Sequence, residues 1–216
     1  MGILGGILDL IFPASCLACG KRGEELCQSC LAKCPAAERE CAEWIYPLYD
    51  YRHKPIKDAM WELKYYGRRR LARIFAEVLY PGMLEELAEL EIMENFREAL
   101  LVPVPLSRKR RRERGFNQAE LICRALLAED GGENFTLETR ALLRPKDSEH
   151  QARLSERAKR LENIIGAFSV KNSEYIGGRN IILIDDITTT GATLSEAKKV
   201  LLASGARKVI AFTIAH

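Results

Sequence analysis

The stretch IILIDDITTTGAT, residues 181–193, decides the fold. Ile181–Ile184 is an apolar, β-branched run, which is typical of a strand buried in a parallel sheet. Two aspartates follow it, then a loop rich in threonine, and an amphipathic helix begins near Thr193. Parallel α/β sheets bind ligands beyond the carboxyl ends of their strands. The sequence therefore predicts a ligand site at this edge.

The loop between strand and helix has the chemistry of a phosphate site. A helix N-terminus carries unpaired N–H groups and a partial positive charge, and Gly191 lets the backbone approach a ligand closely. Asp185 and Asp186 suit the vicinal hydroxyls of a sugar, with or without a bridging Mg²⁺. A helix cap rich in Asp and Thr explains one such residue, but not two Asp and four Thr around a glycine. The sequence predicts a phosphorylated sugar as the ligand.

Strand and helix patterns alternate from Ala99 onward, which favours a parallel sheet with right-handed crossovers. Before that point, apolar residues at helical spacing over 71–79 predict a helix. The predicted later elements are a strand over 100–104, a helix from Asn117, a strand from Asn180, a helix over 193–203 ended by Gly205, and a strand over 208–215.

Six of the seven cysteines lie in the first 41 residues. Four thiolates in two CxxC turns give Zn²⁺ its tetrahedral structural shell. Iron–sulfur ligation and redox-active pairs are alternatives, although no thioredoxin-like strand-to-helix pattern surrounds either CxxC. Cys34 and Cys41 are interpreted as non-ligands. The predicted zinc ligands are Cys16, Cys19, Cys27 and Cys30.

Composition and the N-terminus bear on location. Hydrophobic residues at 47% and charged residues at 29% predict a folded core, and the net charge of +3 says little about partners. Met1–Pro13 is apolar, lacks a basic start and is too short to cross a bilayer, so we expect it to pack on the protein itself. Reduced cysteines, a cytoplasmic protein and no membrane span are predicted.

The predicted domains are a zinc-ribbon-like module, 1–43, and a second domain, 44–216.

Residues 185–193 resemble the motif of type I phosphoribosyltransferases: two acidic residues, two spacers, Thr-Thr-Gly, one spacer, Thr. The resemblance implies a parallel twisted sheet flanked by helices, with phosphoribosyl pyrophosphate (PRPP) as ligand. It also implies that Asp185 and Asp186, the expected catalytic residues, contact the ribose hydroxyls. Regulators of the same fold bind the sugar phosphate without catalysis. The 5-phosphate site is expected to comprise Thr188, Thr189, Thr190, Gly191, Ala192 and Thr193.

In that fold the loop after the first core strand receives pyrophosphate, and residues 102–118 take this place here. Pyrophosphate with Mg²⁺ still carries negative charge and requires arginines and backbone donors. Arg108, Arg114 and Gly115 are the candidates. Because residues 108–114 hold more cations than one pyrophosphate requires, a solvated charged loop stays open as an alternative.

The whole pattern resembles the ComF (GntX-like) family of phosphoribosyltransferase-related proteins. The resemblance implies a link to DNA uptake in natural transformation. Besides the CxxC pairs, it rests on LKYYGRRRLA at 63–72, VPVPLSRKRRRERGFNQAE at 102–120, QARLSERAKRLENIIGAF at 151–168 and IDDITTTGAT at 184–193.

Three functions are consistent with these motifs. The first is a phosphoribosyltransferase that displaces pyrophosphate towards an unidentified acceptor. The second is a competence protein that binds single-stranded DNA through its basic loop, nearby aromatics and zinc ribbon, together with competence-machinery proteins. The third is a PRPP-sensing regulator. Lys64 and Tyr65 are equally consistent with site residues and surface residues, as is a hood formed by Gln151, Arg153 and Arg157.

Overall fold

Two long apolar runs form the centre of the sheet: β6 (Asn180–Ile187) and β7 (Lys208–Ala215). Alternate residues of β6 belong to different hydrophobic clusters. Ile182 packs with one cluster, and Ile181 packs with the other. A strand that is apolar on both faces requires helices on both sides, and this sheet has them.

Three shorter strands complete the sheet: β1 (Ile45–Tyr49), β2 (Ala99–Pro103) and β3 (Phe135–Leu137). The order is β1-β7-β6-β2-β3, and every pairing is parallel. The carboxyl ends of all five strands therefore meet at one edge. Two further strands, β4 (Leu142–Leu143) and β5 (Ser169–Val170), form a separate antiparallel pair.

This computed structural model describes residues 14–38, 42–145 and 166–216. The expected segments Met1–Pro13 and Gln151–Arg157, with Cys41, lie outside these ranges. Within them, every helix is too short or too polar to cross a bilayer. The helices are α1 (Gln28–Leu31), α2 (Lys54–Tyr65), α3 (Arg70–Glu94), α4 (Arg108–Arg114), α5 (Gln118–Asp130) and α6 (Ala192–Ala203).

The predicted parallel sheet flanked by helices is confirmed. The predicted strands β2, β6 and β7 and helices α5 and α6 lie close to their predicted bounds, whereas α3 continues to Glu94 and β1, β3 and α2 were not predicted. The basic run is an exception, because part of the expected loop is the helix α4. Its local sequence explains this. The Ser107 side chain caps the helix by accepting from the N–H of Arg110, and Gly115, at φ 76°, ends it in the left-handed region.

The cysteine segment packs directly against the rest of the chain. Cys16, Leu26 and Leu31 belong to the same buried cluster as Leu63 of α2 and Phe75 of α3. A bridge between Ala36 and Tyr49 also connects the segment to β1. The division at residue 43 stays a prediction, and the residues on its two sides share one hydrophobic core.

Candidate functional site

The two aspartates lie near the carboxyl end of β6, as the motif predicts. The N–H of Asp186 donates to Asp185 Oδ1 at 2.8 Å, which orients that carboxylate across the end of the strand. On one side Ile184 pairs with Pro103 of β2, and on the other Asp185 pairs with Thr213 of β7. The pair thus stands in the middle of the ligand-binding edge.

Lys64 comes from α2 and reaches this pair. Its Nζ lies 3.0 Å from Asp186 Oδ2, and the two side chains are only 15% and 12% exposed. The structure therefore brings together two residues that are far apart in the chain. Helix α2 is anchored in the core by four buried residues: Ile56, Ala59, Met60 and Leu63.

Burial dominates the electrostatics of Asp185, and the neighbouring charge is the second cause. Burial raises the pKa of Asp185 to about 7, and the neighbouring Asp186 charge adds to the rise. The positive charges of Lys64 and Arg144 act in the opposite direction. Burial, then the charges of Asp186 and Tyr65, raise the pKa of Tyr51. The charges of Lys64 and Arg144 therefore act on Asp185, and the charge of Asp186 acts on Tyr51.

The threonine loop turns at Gly191, whose φ is 71°. A Cβ there would lie 3.1 Å from Ile45 Cδ1, so both the conformation and the space favour glycine. Thr188 is buried, and its N–H donates to the Ala215 carbonyl. Helix α6 makes its first backbone bond from Ser195 to Gly191. The N–H groups of its first turn are therefore available to an anion.

The other predicted phosphate residues are more open. Thr189 and Thr190 are exposed, while Ala192 and Thr193 are half-buried. The Thr190 hydroxyl accepts from the N–H of Ala192 at 3.5 Å. The loop thus has one residue tied to the sheet and hydroxyls at its outer end, which is suitable for a phosphate that enters from solvent.

Helix α4 is fixed to the sheet by Asn117, which follows it. The Asn117 amide donates to the Val104 carbonyl and its oxygen caps α5. Arg114 donates to Gln118 Oε1 at 3.0 Å, and its guanidinium carbon lies 5.1 Å from the Tyr65 ring centroid. Tyr65 follows Lys64 in α2, so this helix carries both the residue that contacts Arg114 and the residue that contacts Asp186. The two other candidates, Arg108 and Gly115, are exposed at the two ends of α4.

Aromatic side chains lie exposed on the surface between α2 and α4. Trp61, Tyr65 and Tyr66 are 52%, 55% and 69% exposed. The rings of Trp61 and Tyr65 have centroids 4.3 Å apart, and the Arg69 guanidinium lies 5.5 Å from the Phe116 ring centroid. Flat rings beside arginines form a surface on which nucleic-acid bases can stack.

The four predicted zinc ligands come together. One ligand atom from each of Cys16, Cys19, Cys27 and Cys30 lies within 4.8 Å of the others. The Sγ atoms of Cys19 and Cys27 are 3.8 Å apart. Tetrahedral zinc with Zn–S bonds of about 2.3 Å requires sulfurs about 3.8 Å apart. The four thiols therefore fit zinc.

The thiols also perturb one another. Although burial opposes ionisation, the N–H groups of Cys27 and Cys19 lower the pKa of Cys16 to about 6. Hydrogen bonds shared with the thiols of Cys27 and Cys19 raise the pKa of Cys30 to about 12. A bound divalent cation would allow all four thiolates to form together.

Cys34 lies beside this cluster. Its Sγ donates to the Cys30 carbonyl at 3.3 Å, and burial raises its pKa. Among the described cysteines, the group that can hold a metal consists of the four CxxC residues. The interpretation of Cys34 as a non-ligand agrees with this bond and stays a prediction.

Tyr51, Arg144 and Gln118 were not predicted as site residues. Tyr51 follows β1, whose carboxyl end lies at the edge, and its N–H donates to the His216 carbonyl. If β1 had been predicted as a strand, Tyr51 would have been expected at the ligand-binding edge of the sheet. Arg144 follows the two-residue strand β4 and packs over the Phe168 ring. Nothing local in its sequence signals this position. Gln118 is fully buried beneath Arg114.

Comparison with known proteins identifies related chains. A family model described as a double zinc ribbon domain matches residues 7–55. The competence protein ComFC of Streptococcus pneumoniae is 30% identical over 89% of this chain and 81% of its own length. The DNA utilization protein YhgH of Escherichia coli K12 is 29% identical over 85% of this chain and 74% of its own. Bacillus subtilis ComFC is 40% identical over 53% of this chain and 43% of its own.

Solved structures resemble the chain only distantly. Hypoxanthine phosphoribosyltransferase from Trypanosoma cruzi is 12% identical, with a TM-score of 0.41 over 67% of this chain and 64% of that one. Glutamine PRPP amidotransferase from Bacillus subtilis is 14% identical, with a TM-score of 0.39 over 68% and 25%. At these TM-scores neither likeness carries an argument about the site.

Proposed function

The chain belongs to the ComFC family of competence proteins, and we propose that it binds PRPP with Mg²⁺ and transfers the phosphoribosyl group to an acceptor. The observation that carries this proposal is the position of Asp185 and Asp186. They stand at the carboxyl edge of a parallel sheet, directly before a turn at Gly191 and the N-terminus of α6. Carboxylates for hydroxyls and N–H groups for phosphate match the two ends of a ribose 5-phosphate.

Each part of the site has a role in this proposal. Asp185 and Asp186 accept hydrogen bonds from the ribose hydroxyls, and the first turn of α6 holds the 5-phosphate with the Thr189, Thr190 and Thr193 hydroxyls. Mg²⁺ bound with the substrate would neutralise part of the pyrophosphate charge. Arg114, whose guanidinium carbon lies 5.1 Å from the Tyr65 ring centroid, stabilises the pyrophosphate that leaves in this proposal.

Calorimetry with PRPP, with and without Mg²⁺, tests the binding. Asp186→Asn removes a charged acceptor, so we expect PRPP affinity to fall about a hundredfold, which is about 3 kcal/mol. Asp58→Asn is the matched control, because Asp58 pairs with Lys54 on the exposed side of α2. Affinity that is equal in both variants and the wild type would refute the assignment of the motif.

Turnover is tested separately. Release of pyrophosphate from PRPP when candidate acceptors are added supports a transferase. Tight PRPP binding without pyrophosphate release, over a broad set of nucleobases and amines, would support a PRPP-sensing regulator instead.

A second function, binding of single-stranded DNA, is favoured by the aromatic surface beside α4. Replacing Arg110, Arg111 and Arg112 with Ala is expected to weaken DNA binding and lower its salt dependence, because each neutralised phosphate releases counterions. The control replaces three exposed cations elsewhere with Ala: Arg140, Lys171 and Lys199. Equal affinity and salt slope in the two triple variants would remove the support for DNA binding through α4.

The cellular setting is part of the same proposal. The four CxxC thiols lie close enough together to bind one metal ion, and CxxC pairs that bind metal are typical of proteins of a reducing compartment. We therefore place it in the cytoplasm, where it meets incoming DNA and competence-machinery proteins.

A further inference from the structure

The ion pair between Lys64 and Asp186 is shielded from solvent on both sides. Its two side chains are 15% and 12% exposed, and the bond of 3.0 Å joins α2 to β6. Removing two charges from water costs free energy that their attraction only partly offsets. A buried ion pair therefore contributes little to the free energy of unfolding, so the presence of this pair at the site needs another explanation.

The surroundings of Asp186 provide that explanation. Without Lys64, two neighbouring carboxylates at the end of β6 would lie in a poorly solvated place with less positive charge beside them, and the Asp186 charge already disfavours ionisation of Asp185. The Lys64 ammonium balances one of the two negative charges. It also occupies one side of Asp186 Oδ2, an oxygen that a divalent cation would otherwise bind.

The position of Lys64 is enforced by its helix. Lys64 lies in the last turn of α2, and the preceding Leu63 is fully buried. Leu63 packs in the cluster that contains Cys16 and Leu26 of the zinc ribbon. The helix therefore holds the ammonium at the edge of the sheet, where an unanchored lysine would extend into water.

We propose that Lys64 is a built-in counter-cation that holds Asp186 ready for a ribose hydroxyl and excludes free divalent cations from the Asp185–Asp186 pair. This inference rests on the proposed sugar-phosphate site and adds a residue that controls the binding of free divalent cations there. The ligand's own Mg²⁺ enters only with the pyrophosphate, so the empty site does not retain a metal ion that must be removed first. Lys64 is thus a positioning residue.

The test measures Mn²⁺ alone, by electron paramagnetic resonance of the free ion at pH 8. We expect weak binding at the edge by the wild-type protein and binding tighter by on the order of tenfold in Lys64→Met, because the site gains one net negative charge. Lys64→Arg keeps the charge and is expected to match the wild type. Lys54→Met is the matched control, since Lys54 lies on the same helix in an exposed pair with Asp58.

Lys64→Gln keeps the length and a polar end, and it serves if Lys64→Met fails to fold. Mn²⁺ affinity in the folded neutral variants equal to that of the wild type and Lys54→Met would overturn the proposal. PRPP calorimetry on the same samples separates the two ideas. Wild-type protein that does not bind PRPP refutes the sugar-phosphate site, whereas the Mn²⁺ comparison still decides the role of Lys64.

Discussion

The cysteine cluster and the carboxylate edge both crowd acidic groups together, but they balance the charge differently. In the zinc ribbon, the hydrogen bonds that favour one thiolate disfavour another. They lower the pKa of Cys16 to about 6 and raise the pKa of Cys30 to about 12. At the edge, Lys64 supplies a cation 3.0 Å from Asp186. The charge of the four thiolates would therefore be balanced by a bound zinc ion, whereas the charge of Asp186 is balanced by a side chain of the protein itself.

The largest expected effect follows from removing a zinc ligand. Cys27→Ser is expected to release zinc and lower the free energy of unfolding by about 4 kcal/mol or more, since loss of a structural metal is among the most destabilising changes. Because Cys27 shares a core with α2 and α3, the whole chain is expected to melt earlier. Metal analysis and thermal denaturation measure the two effects.

Cys34→Ser is the control for that variant. Its thiol donates to a carbonyl beside the cluster, so zinc content is expected to stay unchanged. If Cys34→Ser loses zinc as Cys27→Ser does, the ligand set of Cys16, Cys19, Cys27 and Cys30 is wrong.

A smaller effect is expected at the turn before α6. Gly191→Ala places a Cβ at positive φ and 3.1 Å from Ile45 Cδ1, so we expect destabilisation of roughly 2–3 kcal/mol. Gly131→Ala, at φ 64° with nothing within 4 Å, carries only the conformational cost of about 1 kcal/mol. Urea denaturation compares the two. Equal losses would show that Ile45 does not constrain the turn.

The last expected effect concerns the pH dependence of stability, for which the direction is predicted. The pKa of Asp185 is raised from 3.8 to about 7 on folding, so the folded protein binds this proton more tightly. The resulting stabilisation is present below about pH 4 and is lost as pH rises to 7. We expect the stability of the wild type relative to Asp185→Asn to fall as the pH rises across this window. A flat difference in urea denaturation would contradict the raised pKa.

Local sequence was sufficient for the centre of the fold. The apolar runs of β6 and β7, with glycines at the turns, predict strands and helices from neighbours in the chain. The β1 strand was harder to predict, because it is short and contains Pro47. Helix α4 was missed because its basic run has no buried apolar residues, although its caps are Ser107 and Gly115.

The site was predictable only in part, because some of its residues come together through packing between elements that are distant in the chain. Asp185, Asp186 and Gly191 lie in one motif, so their proximity follows from the sequence. Lys64 was a candidate that the sequence alone could not separate from a surface residue. Its contact with Asp186 depends on how α2 packs against the sheet. The position of Arg144 likewise depends on the packing of β4 beside Phe168.

The most direct test of the central claim is a crystal structure of the protein with ribose 5-phosphate. We expect the phosphate within hydrogen-bonding distance of the backbone N–H groups of residues 190–193, and the ribose hydroxyls on Asp185 and Asp186. Ribose 5-phosphate bound elsewhere, with the first turn of α6 unoccupied, would contradict the account.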